Sequence, residues 1–419
     1  MRILHTADIH FGQNIYQHYD RLDEHIHFFK QLQKWIETYS PDALIISGDI
    51  YDVAQPAASV WSAFNAEIVE LRRKFPSLSI ILIAGNHDSA SRIESHSKVW
   101  DIAGVTMIGT PPPILNVAPE GWEERYVVRL TSGFVIAVPY TSGERTDTML
   151  HLQEYVESIN TGDLPIVMTG HLAAIGSDIE GHDPEIGNLR TVAVEKFGTS
   201  YDYLALGHIH KSQTLGYAQV YDEKPHNYAS PVARYSGSVL HVSENENYPH
   251  SVSLVDIDRH RGEVTVRQLK IDQLRHFVTL PKDKAEPFAK AKEAIAYLKK
   301  YVKNNDKEYI RLRMSKNADI PADFNSSVYD IIDKSGKDIR YNPRMIFVSP
   351  EDDLISEPIR NQYPMDMEEI KQMTDPREFV RKTSGEYPGL TEDELDDLFR
   401  EVEEYMKNID AENQEFPEQ

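Results

Sequence analysis

Cysteine is absent from the 419-residue sequence. This absence excludes disulfide bonds and thiolate metal sites, and it fits a protein of the reducing cytoplasm, where we expect this one to work. The sequence also lacks a run of about 18 apolar residues, so we expect no membrane span. The opening residues MRILHTADIHFG lead directly into a strand and lack the charged-then-apolar pattern of a leader peptide.

Positive charge is scarce as well. The chain has 44 Lys and Arg against 67 Asp and Glu, a net charge of −23, which argues against nucleic-acid binding over the whole surface. The charge is uneven along the chain. Residues 282–344 carry 15 basic and 10 acidic side chains, whereas residues 345–419 carry 7 and 22. A basic segment beside a strongly acidic one indicates separate modules with different partners.

Strands and helices alternate in the first quarter of the chain. Apolar runs near residues 2–6, 42–50 and 77–84 predict buried strands, and residues 22–36 and 57–74 between them have helical periodicity. This alternation predicts right-handed crossovers and a mainly parallel sheet. Further strands are predicted at 105–109, 134–140, 164–171 and 201–210, and a hairpin at 251–271.

Composition predicts four segments. We expect a catalytic domain at 1–275, a small α+β capping module with a Lys-rich helix near 286–303 at 276–345, a linker at 346–374, and an acidic helical region at 375–419. The last helix opens with LTEDE, a capping-box pattern, and carries an apolar stripe of Leu395, Leu398, Val402 and Met406. Such a stripe packs on a partner or on its own chain.

Polar residues close the predicted strands. They are Asp8 and His10 in DIH, Asp49 and Asp52 in GDIYD, Asn86 and His87 in GNHD, His171 in GH, and His208 and His210 in GHIH. The carboxyl ends of parallel strands share one edge of a sheet, so these residues are predicted to converge on one cleft. Any one of these motifs alone is as well explained by a turn or a strand end.

The converging side chains are carboxylates, an amide and imidazoles. This set suits Mn²⁺, with Fe²⁺ or Zn²⁺ as alternatives. Seven or eight ligands are too many for one ion, but two ions about 3.5–4 Å apart that share a carboxylate would use them all. Such a pair holds a phosphodiester and stabilises the charge of in-line displacement. His241, His250, His260 and His276 are predicted to have no convergent partners.

The ordered set DIH, GDIYD, GNHD, GH and GHIH resembles the calcineurin-like metallophosphoesterase superfamily over about residues 1–270. MRILHTADIHFGQN, LIAGNHDS, YLALGHIHKSQ and RYSGSVL are similar to the SbcD-type nuclease branch. The resemblance implies an α/β sandwich of two β-sheets flanked by helices, with a small capping domain and a helical tail. It also implies two divalent metal ions, most simply Mn²⁺.

The superfamily pattern implies a role for each motif residue. One ion is held by Asp8, His10, Asp49 and His210, and the second by Asp49, Asn86, His171 and His208. His87 faces the scissile phosphate, and the Asp52 carboxylate orients His87. Asp88 is predicted to fix its loop. In the capping module, Lys299, Lys300, Lys303, Arg311 and Arg313 are candidate phosphate contacts, although they would also suit a solvated surface.

The resemblance implies a DNA nuclease for repair and recombination, acting on double-strand ends, single strands and hairpins. Its expected partner is an SbcC-type ATPase, bound through the acidic helices, in an assembly of two nuclease and two ATPase chains. A small-molecule phosphodiesterase or phosphatase has the same metal site and remains the alternative. A non-enzymatic scaffold is disfavoured because the ligand set is complete.

Overall fold

The computed structural model describes residues 1–16, 19–141, 146–180, 191–282 and 286–348. Met1–Phe347 form one compact unit. The acidic helices predicted beyond residue 375, and all but the first three residues of the predicted linker, lie outside the described residues. Among the described helices, none has both the length and the apolar composition needed to cross a membrane.

The described strands, numbered in chain order, are β1 (Arg2–Thr6), β2 (Asn14–Ile15), β3 (Tyr19–Asp20), β4 (Ala43–Ser47), β5 (Ser79–Ile83), β6 (Val105–Ile108), β7 (Val127–Leu130), β8 (Gly133–Val138), β9 (Ile166–His171), β10 (Ala173–Ala174), β11 (Thr191–Val192), β12 (Tyr203–Gly207), β13 (Gln213–Thr214), β14 (His226–Ala229), β15 (Val232–Tyr235), β16 (Ser251–Ile257), β17 (Glu263–Lys270), β18 (His276–Leu280), β19 (Glu308–Ser315) and β20 (Arg340–Val348). The helices are α1 (Leu22–Tyr39), α2 (Ala58–Lys74), α3 (Ala90–Ile102), α4 (Thr146–Ile159), α5 (Ala291–Asn304) and α6 (Phe324–Ser335).

Two mixed sheets form the main body, as predicted for the fold class. The first has the strand order β14-β17-β16-β1-β4-β5-β6, and the second has the order β13-β15-β12-β9-β8-β7. In the first sheet β1, β4, β5 and β6 are parallel, while β16 and β17 form the predicted antiparallel hairpin. In the second, β8, β9, β12 and β15 are parallel. Helices α3 and α4, and strands β7, β13, β14 and β15 of these two sheets, were not predicted from the sequence.

Alternation along the central strands divides the core into two layers. Ile3 and Ile45 belong to the cluster that also contains side chains of β9 and β12, so they fill the space between the sheets. Leu4 and Leu44 belong to the cluster with Phe28 of α1 and side chains of α2. Successive strand residues point to opposite faces, and both faces are covered here. This is why the strands are continuous apolar runs.

The capping module has its own small core. Strands β18, β19 and β20 form a three-stranded sheet, and α5 and α6 pack on it through side chains such as Leu298, Leu312 and Val328. The predicted start of the helix near residue 286 is wrong, because α5 begins at Ala291. Pro287 disfavours a helical conformation in the residue before it, and Phe288 instead forms a bridge with Met314 beside β19.

A buried ionic cluster joins this module to α1. Glu24 is fully buried and accepts hydrogen bonds from Arg21, Arg275 and the hydroxyl of Tyr309 in β19. Arg275 also donates to Asp23 at 2.5 Å. Each buried charge has an opposite charge and hydrogen-bond partners, which offsets the cost of removing it from water. The cluster therefore fixes the capping module against the main body.

Candidate metal centre and its cleft

The polar strand ends converge from both sheets. Asp8 and His10 follow β1, Asp49 follows β4, and Asn86 and His87 follow β5 of the first sheet. The remaining three come from the second sheet, where His171 ends β9 and His208 and His210 follow β12. The sequence analysis placed all of these residues at one edge of one sheet, but they lie where the carboxyl ends of two sheets meet.

Several of these residues have an unusual backbone conformation. Asp8, His10, Asp49 and His208 have φ angles of 50°, 47°, 45° and 99°, in the left-handed region. Non-glycine residues rarely adopt such angles, and where they persist they cluster at functional sites. Hydrogen bonds from the amide of Asp8 to the carbonyl of Gly48, and from His10 to Asp49, hold two of them. The fold thus maintains strain at this point.

Two glycines allow the strand ends to approach one another. A Cβ atom on Gly85 would lie 2.1 Å from Oδ1 of Asp49, and one on Gly207 would lie 1.9 Å from the carbonyl oxygen of Ser47. Neither approach is possible for a residue with a side chain. Gly85 therefore lets the β5 loop reach Asp49, and Gly207 lets β12 of the second sheet reach β4 of the first.

The side chains form two neighbouring groups of possible ligands. In the first, ligand atoms of Asp8, His10 and His210 lie within 4.8 Å of one another, and in the second the same holds for Asp49, His171 and His208. Oδ1 of Asn86 joins the second group, 2.9 Å from Nε2 of His171 and 2.9 Å from Nδ1 of His208. Residues 200 positions apart in the sequence are thus in contact.

Asp49 lies between the two groups. Its Oδ2 is 3.4 Å from Nε2 of His171 and 3.8 Å from Nε2 of His10. Its Oδ1 accepts a hydrogen bond from the amide of His87 at 2.9 Å. One oxygen of this carboxylate therefore faces imidazoles of both groups, and Asp49 would be shared if each group held a cation.

The donor set fits a pair of divalent cations. His10 is 2% exposed, and its Nε2 has no hydrogen-bond partner among the described residues. A buried polar atom without a partner is costly, and a metal ion would satisfy it. All the other donors are carboxylate or amide oxygens and imidazole nitrogens, which suit Mn²⁺, Fe²⁺ or Zn²⁺. The buried His and Asp groups are consistent with a dimetal site.

The charges of the site perturb the pKa values of its members. Burial lowers the pKa of His171, but Asp49 and Asp8 outweigh burial and raise it to about 9. His10 is raised to a pKa of about 9 in the same way, by Asp52, Asp49 and Asp8. Burial raises the pKa of Asp49, but the surrounding histidines, His171 first, bring it below its usual value. The carboxylates thus favour positive charge at this point.

His87 is held by its neighbour Asp52, although not in the way that the resemblance implied. Nδ1 of His87 lies 2.8 Å from the main-chain carbonyl oxygen of Asp52. The Asp52 carboxylate instead lies 3.3 Å from Nδ1 of His10. The prediction that this carboxylate orients His87 is therefore wrong, because the turn of the GDIYD segment presents its carbonyl to His87 and its side chain to His10.

Asp88 fixes the loop, as predicted. Its carboxylate accepts hydrogen bonds from the main-chain amides of Ile50, Tyr51 and Gly85 at 3.0, 2.9 and 2.8 Å. Burial and the nearby charge of Asp49 raise the pKa of Asp88 to about 6. This one side chain ties the end of the β4 loop to the start of the β5 loop, and so holds Asp49 next to Asn86 and His87.

The candidate ligands open into a cleft of about 730 Å³. Its lining includes His10, Asp49, Asn86, His87, His208 and His210, here called the metal end, and Gln13, Tyr16, Glu244, Arg311, Asn342 and Arg344, here called the capping end. Arg311 lies on β19 and donates to Glu244 at 2.7 Å and to the carbonyl of Arg344 at 2.9 Å. The capping module therefore forms one wall of the cleft that leads to the ligands.

The five basic side chains predicted to contact phosphate are not together. Among them, only Arg311 lines the described cleft. Lys299, Lys300 and Lys303 lie exposed on α5, and Arg313 is half-buried on β19. Helical periodicity places the lysines on the solvent side of α5 because its other side packs in the capping core. The sequence analysis missed Tyr16, Glu244, Asn342 and Arg344, which sit in loops or alternate with apolar residues and have no motif.

Comparison with known families identifies the protein family that contains this centre. The model for the calcineurin-like phosphoesterases matches residues 1–212, which contain every candidate metal ligand. The chain belongs to this family. Its members are metal-dependent phosphoester hydrolases, and the two buried groups of His and Asp side chains are consistent with a dimetal site of such an enzyme.

The curated relatives of this phosphoesterase include subunits of a nuclease. The SbcD component of the nuclease SbcCD from Escherichia coli K12 is 30% identical over 276 residues, covering 60% of this chain and 65% of that protein. The SbcD components from Rhodobacter capsulatus and Bacillus subtilis are 29% and 30% identical, each covering 61% of this chain and 66% of the relative. The chain thus spans just under two thirds of the length of these relatives.

The prediction that several histidines of this phosphoesterase lack convergent partners is wrong. His241 and His250 were predicted to have no convergent partners, but both meet Glu246, with ligand atoms within 4.8 Å. His260 also has partners, the carboxylates of Asp202 and Glu157. The segment HVSENENYPH that carries Glu246 has no strand or helix period and no known motif, so no sequence signal marked it.

Proposed function

We propose that this phosphoesterase is a metal-dependent DNA nuclease of the SbcD type. The observation that carries the proposal is that one cleft is lined both by candidate metal ligands and by Arg311 of the capping module. A small phosphoester needs only the metal end. A cation held on a separate module, at a distance from the reacting phosphate, suits a substrate with a chain of phosphates.

The proposed metal ligands are those that the resemblance implies. Asp8, His10, Asp49 and His210 would hold one divalent cation, and Asp49, Asn86, His171 and His208 the second, with Mn²⁺ favoured over Fe²⁺ and Zn²⁺. When bound, such a pair neutralises the phosphodiester and activates water for in-line displacement. The protein side chains fix where the phosphate lies in the cleft.

His87 would handle the proton of the leaving oxygen. The carbonyl of Asp52 only accepts hydrogen bonds, so Nδ1 of His87 carries a hydrogen and is occupied. When the ring is protonated at both nitrogens, Nε2 is the atom that can donate a proton to the departing oxygen, or stabilise its charge. His87 is half-buried and lines the cleft, and its amide is fixed by Asp49. Asp52 would therefore act as a positioning residue through its main chain.

DNA is the proposed substrate, cut at double-strand ends and in single strands or hairpins. The relatives at about 30% identity are named as components of a nuclease called SbcCD. We propose an SbcC-type ATPase as the partner, bound through the acidic region 375–419, with two copies of each chain in the assembly. The site of action would be the cytoplasm. The proposed division into domains is 1–275, 276–345, 346–374 and 375–419.

A second candidate function is a phosphodiesterase for small molecules. One observation favours it, namely that Glu244 pairs with Arg311 at 2.7 Å in the cleft. This carboxylate reduces the positive charge available to a second phosphate. A nuclease therefore needs DNA to displace Glu244 from Arg311, whereas a small diester leaves the pair intact.

The test is cleavage of a labelled DNA hairpin by the full-length protein with Mn²⁺. We expect cutting that is lost with a chelator, and that is faster with an SbcC-type ATPase and ATP. His87→Ala should reduce the rate about 10²- to 10⁴-fold, the usual contribution of a positioned general acid, while Mn²⁺ binding is retained. Intact DNA under every condition, together with hydrolysis of a small diester, would instead establish the second candidate.

A further inference from the structure

A buried carboxylate stands behind one of the candidate metal ligands. Glu246 is 1% exposed and lies in the loop between β15 and β16. Its Oε1 is 2.8 Å from Nδ1 of His210. Its Oε2 accepts from the amide of Val242 at 3.1 Å and from the hydroxyl of Ser238 at 3.3 Å. A carboxylate buried this deeply is rare unless it is paired, and here its partner is a predicted ligand.

The hydrogen bond determines which nitrogen of His210 carries the proton. An ionised carboxylate only accepts, so Nδ1 of His210 donates to Glu246 and Nε2 keeps a lone pair for a cation. We propose that Glu246 is a positioning residue that holds His210 in this tautomer and orientation for the cation beside Asp8 and His10. This inference rests on the proposed metal-dependent function.

Glu246 makes the two cation positions unequal. In the second group, Nδ1 of His171 is held by the neutral carbonyl of Ser47 at 2.8 Å, and Nδ1 of His208 faces the amide oxygen of Asn86. In the first group, the imidazole of His210 is held by a buried carboxylate that lies outside the ligand set. A carboxylate behind a ligating imidazole makes it a stronger donor, and its removal commonly costs 10- to 100-fold in metal affinity. The first position should therefore bind its cation more tightly.

The loop that carries Glu246 is itself fixed. Nδ1 of His241 lies 2.8 Å from the carbonyl oxygen of Glu246, and Arg21 donates to the carbonyl of His241 at 2.5 Å. Arg21 belongs to the buried cluster with Glu24 that joins the capping module to α1. Nε2 of His250 lies 3.1 Å from Nδ1 of His241 and 3.7 Å from Oε2 of Glu246, so both histidines of this loop pack around Glu246.

The test is a titration of the full-length protein with Mn²⁺, in which electron paramagnetic resonance measures the concentration of free ion. Wild type should bind two ions with different affinities. Glu246→Gln keeps the side-chain volume and removes the charge, and should weaken the tighter ion about 10- to 100-fold while leaving the weaker one unchanged. Equal binding curves for wild type and Glu246→Gln would overturn the proposal.

Asp202→Asn is the matched control. Asp202 is also a fully buried carboxylate, and it lies 3.1 Å from Nδ1 of His260, which is outside both ligand groups. A purely structural role would lower the stability of both variants and leave both Mn²⁺ affinities unchanged. Loss of the tighter ion in Glu246→Gln alone supports the proposal, and equal loss in Asp202→Asn overturns it.

A measurement on wild type covers the case in which Glu246→Gln fails to fold. With Zn²⁺, which is diamagnetic, proton–nitrogen correlation spectra should show His210 protonated at Nδ1, and protonation at Nε2 would overturn the proposal. The role of Glu246 can be tested separately from the nuclease assignment. If wild type binds two ions and Glu246→Gln loses one while DNA stays intact, the nuclease assignment fails and the role of Glu246 stands.

Discussion

The two ends of the cleft are built differently. At the metal end the candidate ligands follow central strands and, apart from half-buried Asn86, are buried, and several have strained main-chain angles held by hydrogen bonds. At the capping end, Arg311 and Glu244 are partly exposed, with side-chain exposures of 30% and 20%, and they neutralise one another. The first end is fixed by the core, and the second is set by surface residues.

The difference separates chemistry from substrate choice. A rigid, buried set of ligands suits a reaction that the whole family performs, because small displacements of catalytic groups are costly. Partly exposed charges on a separate module can change without disturbing the core. We therefore expect changes at the metal end to affect every phosphodiester, and changes at the capping end to affect DNA alone.

The largest expected effect is at the metal end. Asp49→Asn removes the charge that faces both ligand groups, and we expect activity on DNA and on a small diester to fall at least about 10³-fold, since stabilisation of several kcal/mol is lost. Kinetic assays with both substrates test this, with Asp101→Asn on the exposed face of α3 as the control. Retention of activity on either substrate would contradict the claim that the metal end serves every phosphodiester.

The next effect concerns the attachment of the capping end. Glu24→Gln leaves Arg21 and Arg275 buried without their shared carboxylate, which costs about 3–5 kcal/mol in comparable buried pairs. Urea unfolding of wild type and variant measures this loss. Glu70→Gln, which breaks an exposed pair with Arg73 on α2, should cost far less, because solvent screens an exposed pair. Equal costs would show that the buried cluster does not secure the module.

The pH dependence of stability tests a buried histidine on β1, the strand that leads to Asp8 and His10. His5 of β1 is fully buried beside Tyr203 of β12, 2.9 Å away, and burial lowers the pKa of His5 to about 3. Between about pH 6.5 and pH 3 the unfolded chain binds a proton at His5 and the folded protein does not, so stability falls as pH falls, by about 1.4 kcal/mol per unit.

The variant His5→Gln lacks this titration. From about pH 6 to pH 4 its unfolding free energy should improve relative to wild type by about 3 kcal/mol, whatever its stability at neutral pH. Urea unfolding at both pH values gives the difference between the two slopes. Parallel slopes would mean that His5 is protonated in the folded protein, in conflict with its burial between the sheets.

The smallest effect is at the capping end. Arg311→Ala should weaken DNA binding about 5- to 10-fold and leave hydrolysis of a small diester unchanged, because the side chain meets only the longer substrate. Glu244→Gln should have the opposite effect on DNA, since it frees Arg311. Lys299→Ala on the outer face of α5 should change binding less than about 2-fold. Binding titrations at fixed salt test all three.

The convergence of the candidate ligands could be predicted from the sequence for a physical reason. Apolar runs that stop abruptly at DIH, GNHD and GHIH mark buried strands with polar ends, and strand order brings those ends together. What alternation along the chain did not reveal is that the ends come from two sheets. That arrangement depends on close approaches such as Gly207 to Ser47, which only the folded structure contains.

The supporting residues were harder to predict. Glu246 lies in an irregular loop, and its partner His210 is 36 positions away, so no local period links them. For Asp52 the residue was named correctly but its carbonyl, not its carboxylate, contacts His87, and residue type cannot reveal such main-chain contacts. At the capping end, Arg344 lies on β20 in a stretch that carries no motif, so its place in the cleft could not be predicted from the sequence.

The most direct test of the central claim, that Asp49 is shared by two cations, is anomalous X-ray diffraction from crystals of the full-length protein grown with Mn²⁺. The account predicts two peaks, one among Asp8, His10 and His210 and one among Asn86, His171 and His208, with Asp49 in contact with both. A single peak, or two peaks of which only one touches Asp49, would contradict it.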